Sequence, residues 1–352
     1  MSNLSPLSIQ IKDEKRAYYP GDEITGTVIA KPQADTICRK LTIALNWRTG
    51  GMGNVDEGKP QGEITLFSGT LRAGVPQEFP FSLTVPPGPL TYHGNIVYVN
   101  WYLHAQADVP WAFDPTVRRE FILASPQDPV PLDLGPSYKP PKHPSSNEPT
   151  PWWLIILLIL AAAVATWFFP CCLFIIIPAV IFWAIPEYRK WLQVKKLGKR
   201  VLHIEPQQAY AGESIEVSFQ YQATSRVDLE FISAELLGQE RVESGSGSNR
   251  KTHKHKIFGN EEFLLRDAIV TPGIPGSHRA TLWFPKDAAP TFAASNNWVE
   301  WSVIFRLKVR GYGVWEETHP VTLWPTPGVE HFKSHRDPDD FDEHEDTDDE
   351  DV

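Results

Sequence analysis

Two stretches of this chain repeat one another. The first is VYVNWYLHAQADV, Val97–Val109, and the second is WVEWSVIFRLKVR, Trp298–Arg310. In the first, Val97, Val99, Trp101, Leu103, Ala105 and Ala107 alternate with Tyr98, Asn100, Tyr102, His104, Gln106 and Asp108. In the second, Val299, Trp301, Val303, Phe305, Leu307 and Val309 alternate with mostly polar residues. A period of two describes a strand with one face in a core and one face in water. At an offset of 200 residues Trp101 falls on Trp301, and the apolar phase is the same.

Two further matches keep the same order. YYPGDEITGTV (Tyr18–Val28) aligns with AYAGESIEVSF (Ala209–Phe219), so Tyr19 meets Tyr210, Gly21 meets Gly212 and Asp22 meets Glu213. Pro20-Gly21 suits the centre of a type II turn, where glycine accepts positive φ. FSLTVPP aligns with ATLWFPK and places Pro86 on Pro285. Three ordered matches argue for two copies of one β domain. About seven strands are expected in each copy. The first set lies near 7–12, 23–31, 36–48, 62–72, 77–85, 95–109 and 116–124. The second lies near 201–205, 213–223, 227–240, 253–265, 277–284, 298–310 and 314–324. Short strands with frequent turns in a segment of this size predict an antiparallel sandwich.

The segment AYYPGDEITGTVIA resembles the second-strand signature of arrestin-like proteins. FPFSLTVPPGPLTYHGNIVYVNWYLHAQADVPWAFDPTVRREFIL is similar to the end of an arrestin N-terminal domain, including the Asp-x-Pro-Trp corner at Asp108–Trp111. The second copy resembles the arrestin C-terminal domain through weaker motifs. The resemblance implies two β-sandwiches in tandem, acting as a non-catalytic adaptor. The chain departs from that pattern in two ways. An apolar run interrupts the connection between the domains, and the Pro-Pro-x-Tyr motif that α-arrestins use to recruit ubiquitin ligases is missing. Neither ligase recruitment nor receptor-phosphate sensing is therefore carried over.

The net charge of -10 is concentrated in the tail DPDDFDEHEDTDDEDV, which holds 11 acidic residues and no Lys or Arg, leaving about +1 on the rest. A balanced body of this kind argues against a general nucleic-acid binder. The cysteines are Cys38, Cys171 and Cys172, two of them in the apolar run, so no disulfide framework is expected. The first 23 residues contain no apolar core of signal-peptide length. The first domain is thus expected to stay in the cytoplasm unless something else exports it.

The apolar run extends from Trp152 to Ile185, 34 residues without a charge. As one helix it would be about 51 Å long, against a hydrocarbon core of about 30 Å. Pro170 divides it into two short halves. Trp and Tyr favour membrane interfaces. Trp152 and Trp153 stand at one end, Trp183, Tyr188 and Trp191 at the other, and Trp167 in the middle. These positions predict a transmembrane or re-entrant helical hairpin, although the expected turn, FFPCCLF, offers no polar side chain to a lipid-exposed backbone. Arg189, Lys190, Lys195, Lys196, Lys199 and Arg200 follow and are expected to face anionic lipid on the cytoplasmic side. The expected fold is therefore all-β, two arrestin-like sandwiches with a central helical hairpin, in an integral membrane protein whose two β domains are both cytoplasmic.

The expected division is a sandwich over 1–125, a Pro-rich linker over 126–151, the hairpin over 152–186, a basic stretch over 187–200, a second sandwich over 201–325 and an acidic disordered tail over 326–352. Pro141–Pro144 matches PxxP, but a stiff spacer accounts for it better. Little points to catalysis. His253 and His255 could give two metal ligands, with no third nearby, and read better as a solvated edge. Ser246 lacks the flanks of a nucleophile elbow. Cys171-Cys172 could carry lipid, but packing roles fit better. Asp108, Asp114 and Trp111 read as a corner that fixes the sandwich. No catalytic residue, cofactor or metal is expected. The expected partners are proteins and membrane lipid, and the expected function is a membrane-anchored cytoplasmic adaptor. The alternative is an envelope tether or signal transducer with the first domain outside and the second inside.

Overall fold

The computed structural model describes residues 7–111, 114–126, 132–140 and 195–325. The first domain contains β1 (Ser8–Ile11), β2 (Glu23–Ala30), β3 (Thr36–Gly51), β4 (Gln61–Leu71), β5 (Gln77–Thr84), β6 (Tyr92–His93), β7 (Val97–Asp108) and β8 (Thr116–Phe121). The second contains β9 (Lys199–Glu205), β10 (Gln208–Tyr210), β11 (Ser214–Gln222), β12 (Val227–Ser244), β13 (Lys251–Val270), β14 (Pro275–Trp283), β15 (Phe292–Ala293), β16 (Asn297–Val309) and β17 (Val314–Trp324).

Each domain stacks a small sheet on a larger one. In the first, β1-β2-β5 faces β4-β3-β7, with β6 and β8 also pairing with β7. In the second, β11-β14 faces β13-β12-β16-β17-β10, with β15 on β16. All strand pairs are antiparallel except β10 with β17. Alternation along β16 is strict from Asn297 to Val309. Its inward set, Trp301, Val303, Phe305, Leu307 and Val309, joins Phe219, Leu229 and Leu236 in one core. The equivalent set on β7 joins Ile24, Leu41, Ile43 and Leu123 in the other.

The repeat holds at the level of single hydrogen bonds. Trp101 Nε1 donates to the Pro89 carbonyl (2.6 Å), and Trp301 Nε1 donates to the Ala289 carbonyl (2.8 Å). Leu123 N–H donates to Thr91 Oγ1, and Leu323 N–H donates to Thr291 Oγ1, each at 2.9 Å. The turn carboxylates Asp22 and Glu213 accept the N–H of Tyr19 and Tyr210. Gly21 and Gly212 sit at φ +87° and +86°, as the turn requires. Both indoles are buried, so each N–H needs an acceptor, and a main-chain carbonyl at the equivalent position supplies it in each copy.

Two expectations are corrected. The helical hairpin and the integral membrane placement built on it do not stand: among the described residues no helix is long and apolar enough to cross a membrane. The helix there is one turn at Lys195–Leu197 and a 3-10 turn at Gly247–Asn249. The run 152–186, with Trp152, Trp153, Trp167, Pro170, Trp183, Tyr188 and Trp191, lies outside the described residues, as do Arg189, Lys190, Cys171 and Cys172. The second correction concerns Trp111. It does not brace the corner but is 101% exposed at φ 62°. Asp114 does that work, accepting the Val109 N–H (3.2 Å) and Gln106 Nε2 (3.1 Å).

The described end of the basic stretch is held by protein. Leu197 is buried in the second core. Lys196 Nζ lies 4.7 Å over the Tyr312 ring and donates to its hydroxyl at 2.6 Å. Lys199 and Arg200 open β9, and the Arg200 guanidinium stacks 4.6 Å over Trp315. Burial lowers the Arg200 pKa, opposed by the Glu317 carboxylate.

Candidate functional site

The polar groups that sequence patterning leaves unexplained gather where the two domains meet. In β12 the inward phase runs Ala234, Leu236, Gly238, Glu240, Val242. A carboxylate thus occupies a core position, and Glu240 is 0% exposed. Such a group is costly unless fully hydrogen-bonded. Its donors come from the other domain: Tyr92 hydroxyl at 2.6 Å, Asn95 N–H at 3.0 Å and Ile96 N–H at 2.7 Å. The last two belong to the tight turn between β6 and β7, which Gly94 N–H closes on the Val97 carbonyl. Gly94 is required there, since a Cβ would collide with the Glu240 carboxylate. Burial and the adjacent Glu240 charge raise the Tyr92 phenol well above its ordinary pKa, so it remains a donor.

The reciprocal contact uses the equivalent turn of the second domain. Asp56, in the loop between β3 and β4, accepts the Asn296 N–H and Asn296 Nδ2, each at 2.8 Å. Asn297 Nδ2 reaches Asp56 (2.9 Å), the Thr49 hydroxyl (2.9 Å) and the Asn54 carbonyl (2.7 Å). Register makes the relation explicit. Thr49 pairs with Val99 in β3–β7, and Glu240 pairs with Val299 in β12–β16. Thr49 and Glu240 are therefore equivalent positions, and each domain reaches from that position into the other's turn. This is the pattern of a two-fold interface, in which patch i meets j and j meets i. Apolar packing seals it. Trp47 meets Phe292 edge to face at 5.9 Å, and Val242, Ala294 and Val299 join the first domain's core. Asn54 pairs twice with Gly245, at 2.9 and 3.0 Å.

Residues 132–140 add a strap. Ala293 N–H donates to the Leu134 carbonyl, Ser137 N–H donates to the Ala293 carbonyl, and the Tyr138 hydroxyl meets Thr322 Oγ1 at 2.9 Å. A cleft of about 390 Å³ opens beside the junction, lined by His93, Asn95, His255, Lys256, Asp287 and Trp301 among others. A second, of about 350 Å³, lies beneath the strap.

The remaining candidates from sequence have structural surroundings. His253 Nε2 lies 3.3 Å from Ser244 Oγ, and Ser246 precedes the 3-10 turn, its carbonyl accepting the Asn249 N–H. Asp108 faces Arg39 at 3.8 Å on an exposed surface. Among the described residues no group of three or more His, Cys, Asp or Glu is placed to hold a metal ion. Sequence reading missed Tyr92, Asp56, Glu240 and Asn297. The one available signal was Glu240, a carboxylate in the apolar phase of a strand.

No protein-family model matches the chain, and no curated protein does. Among solved structures, the chain is similar to the crystal structure of Spo0M, sporulation control protein, from Bacillus subtilis. The likeness has 16% identity and a TM-score of 0.29, and covers 36% of this chain and 48% of that one. The chain thus spans about half the length of that protein, and so distant a match adds nothing to the argument from geometry.

Proposed function

We propose that this chain is a non-catalytic, arrestin-like adaptor that holds two β-sandwiches in one fixed relation and binds a protein partner on their outer surfaces. The observation that carries the reading is the reciprocal interlock of Glu240 and Asp56 with the opposite domain's turns. An interface with buried, hydrogen-bonded carboxylates specifies one geometry, because slippage would leave a charge unpaired. Long exposed strands such as β13 supply edges to which a partner's strand can add.

The test is co-purification of the full-length chain from its native cells, followed by calorimetry with each purified candidate. The expected result is a saturable complex of fixed stoichiometry that Glu240→Ala weakens. If stoichiometric binding by the Glu240→Ala protein is unchanged, the fixed relation of the domains is irrelevant to function. If every candidate fails to bind, the adaptor reading falls.

A further inference from the structure

Strand β13 ends its sheet: it pairs with β12 along one edge, and its other edge has no paired strand among the described residues. The exposed part of that edge begins with RKTHKHK, Arg250–Lys256, which carries four cationic side chains, two histidines and no acid. Arg250 is neutralised by Glu243, and Lys256 by Glu235 at 2.7 Å. Lys251 and Lys254 have no carboxylate partner among the described residues. An open row of backbone donors and acceptors beside unneutralised charge is a template for an acidic strand.

Register shows what can reach it. Val321 lies opposite Trp301, Trp301 opposite Gly238, and Gly238 opposite Phe258. Three residues further, Trp324 stands level with Trp298, Arg241 and Lys254. The chain therefore leaves the second domain on the row of the basic segment, three strands away, about 14 Å at the usual strand spacing. The acidic run begins at Asp337, with 12 residues between it and Trp324. A flexible segment of that length spans about 20 Å on average and about 40 Å at full stretch. The connection is long enough without strain, and covalent attachment sets an effective concentration near the millimolar range.

We infer that the acidic segment Asp337–Asp351 docks as an added strand on the outer edge of β13 along Lys251–Lys256. Its 11 carboxylates meet the two unneutralised lysines and the two histidines. An acidic segment from another protein would then have to displace it.

The experiment uses the purified full-length chain in three forms: wild type, a variant with the 11 tail carboxylates changed to amides, and Lys251→Glu/Lys254→Glu. Amide hydrogen exchange across Lys251–Lys256 is read at low and high salt, together with binding of a synthetic peptide, Asp337–Val352. Docking requires at least tenfold slower exchange in wild type than in either variant, with the difference shrinking in high salt. It also requires the added peptide to bind the amide-tail form at least tenfold more tightly than wild type, and to ignore Lys251→Glu/Lys254→Glu. Equal exchange in all three forms overturns the proposal. Equal peptide binding by the wild-type and amide-tail forms also overturns it, and would leave the edge open to an acidic partner in trans. Absence of peptide binding to the amide-tail form overturns the charge argument itself. None of these results bears on whether the chain binds a partner elsewhere.

Discussion

Glu240 offers the sharpest test of how the domains are joined. Its carboxylate takes three donors from the first domain, at 2.6, 3.0 and 2.7 Å, in a site closed to solvent. Tyr92→Phe removes one charge-assisted bond and leaves two, a loss of about 1.5–3 kcal/mol. Glu240→Ala orphans the hydroxyl and both backbone N–H groups. Each unsatisfied donor costs about 1–3 kcal/mol if dry, and water entering the vacated polar space returns part of this. A net loss of about 3–5 kcal/mol follows, in line with breaking other buried charge contacts. Because the lost bonds cross the interface, the domains should also uncouple. Urea unfolding followed by tryptophan fluorescence and by circular dichroism should give coincident transitions in wild type and separated ones in Glu240→Ala. A double-mutant cycle of Tyr92→Phe with Glu240→Ala should return about 1–3 kcal/mol of coupling. A coupling below about 0.5 kcal/mol, the usual error of additivity, would refute the assignment of Tyr92 as the carboxylate's partner. Coincident transitions in Glu240→Ala would refute the claim that this contact holds the domains together.

Three further outcomes are expected. The raised Tyr92 pKa means that the unfolded chain releases the phenolic proton first; its contribution is intact below about pH 10 and falls above it, by up to about 1.4 kcal/mol per pH unit. Tyr92→Phe should flatten the alkaline stability profile by that slope, measured as urea midpoints from pH 8 to 11. Trp101→Ala and Trp301→Ala should each cost about 3–5 kcal/mol, while Trp301→Phe keeps most of the packing and loses mainly the bond to Ala289, about 0.5–1.5 kcal/mol; thermal and urea unfolding separate these. Gly238→Ala places a Cβ 2.7 Å from the Trp301 ring and should cost about 1–3 kcal/mol, whereas Gly74→Ala meets no atom and should lose stability only through its positive φ.

The sandwiches were legible because alternation is a direct consequence of burial. Trp101 and Trp301 lie in the cores, and the predicted strands match β2, β3, β5, β7, β11, β16 and β17 closely. The two-residue strands β6 and β15 were not legible, since they are defined by pairing with β7 and β16 rather than by their own pattern. The interlock was not legible either. Asp56 and Asn297 are 241 positions apart, and no local pattern announces that they touch. The aromatic partners of two basic residues were not legible either: the Arg200 guanidinium lies over Trp315 and Lys196 Nζ over Tyr312, contacts that no charge run announces.

The pseudo-two-fold junction has a consequence for how the protein behaves on dilution. Two separate subunits held by such a contact would fall apart below their dissociation constant. Here both halves are on one polypeptide, so the contact is first-order and independent of protein concentration. Fusion also frees the halves to diverge. Position 49 is a threonine assisted by Asp56, while position 240 is a glutamate that needs no helper. A true homodimer must use the same chemistry twice. This chain uses two different carboxylate solutions in one junction, so either can be retuned without disturbing the other.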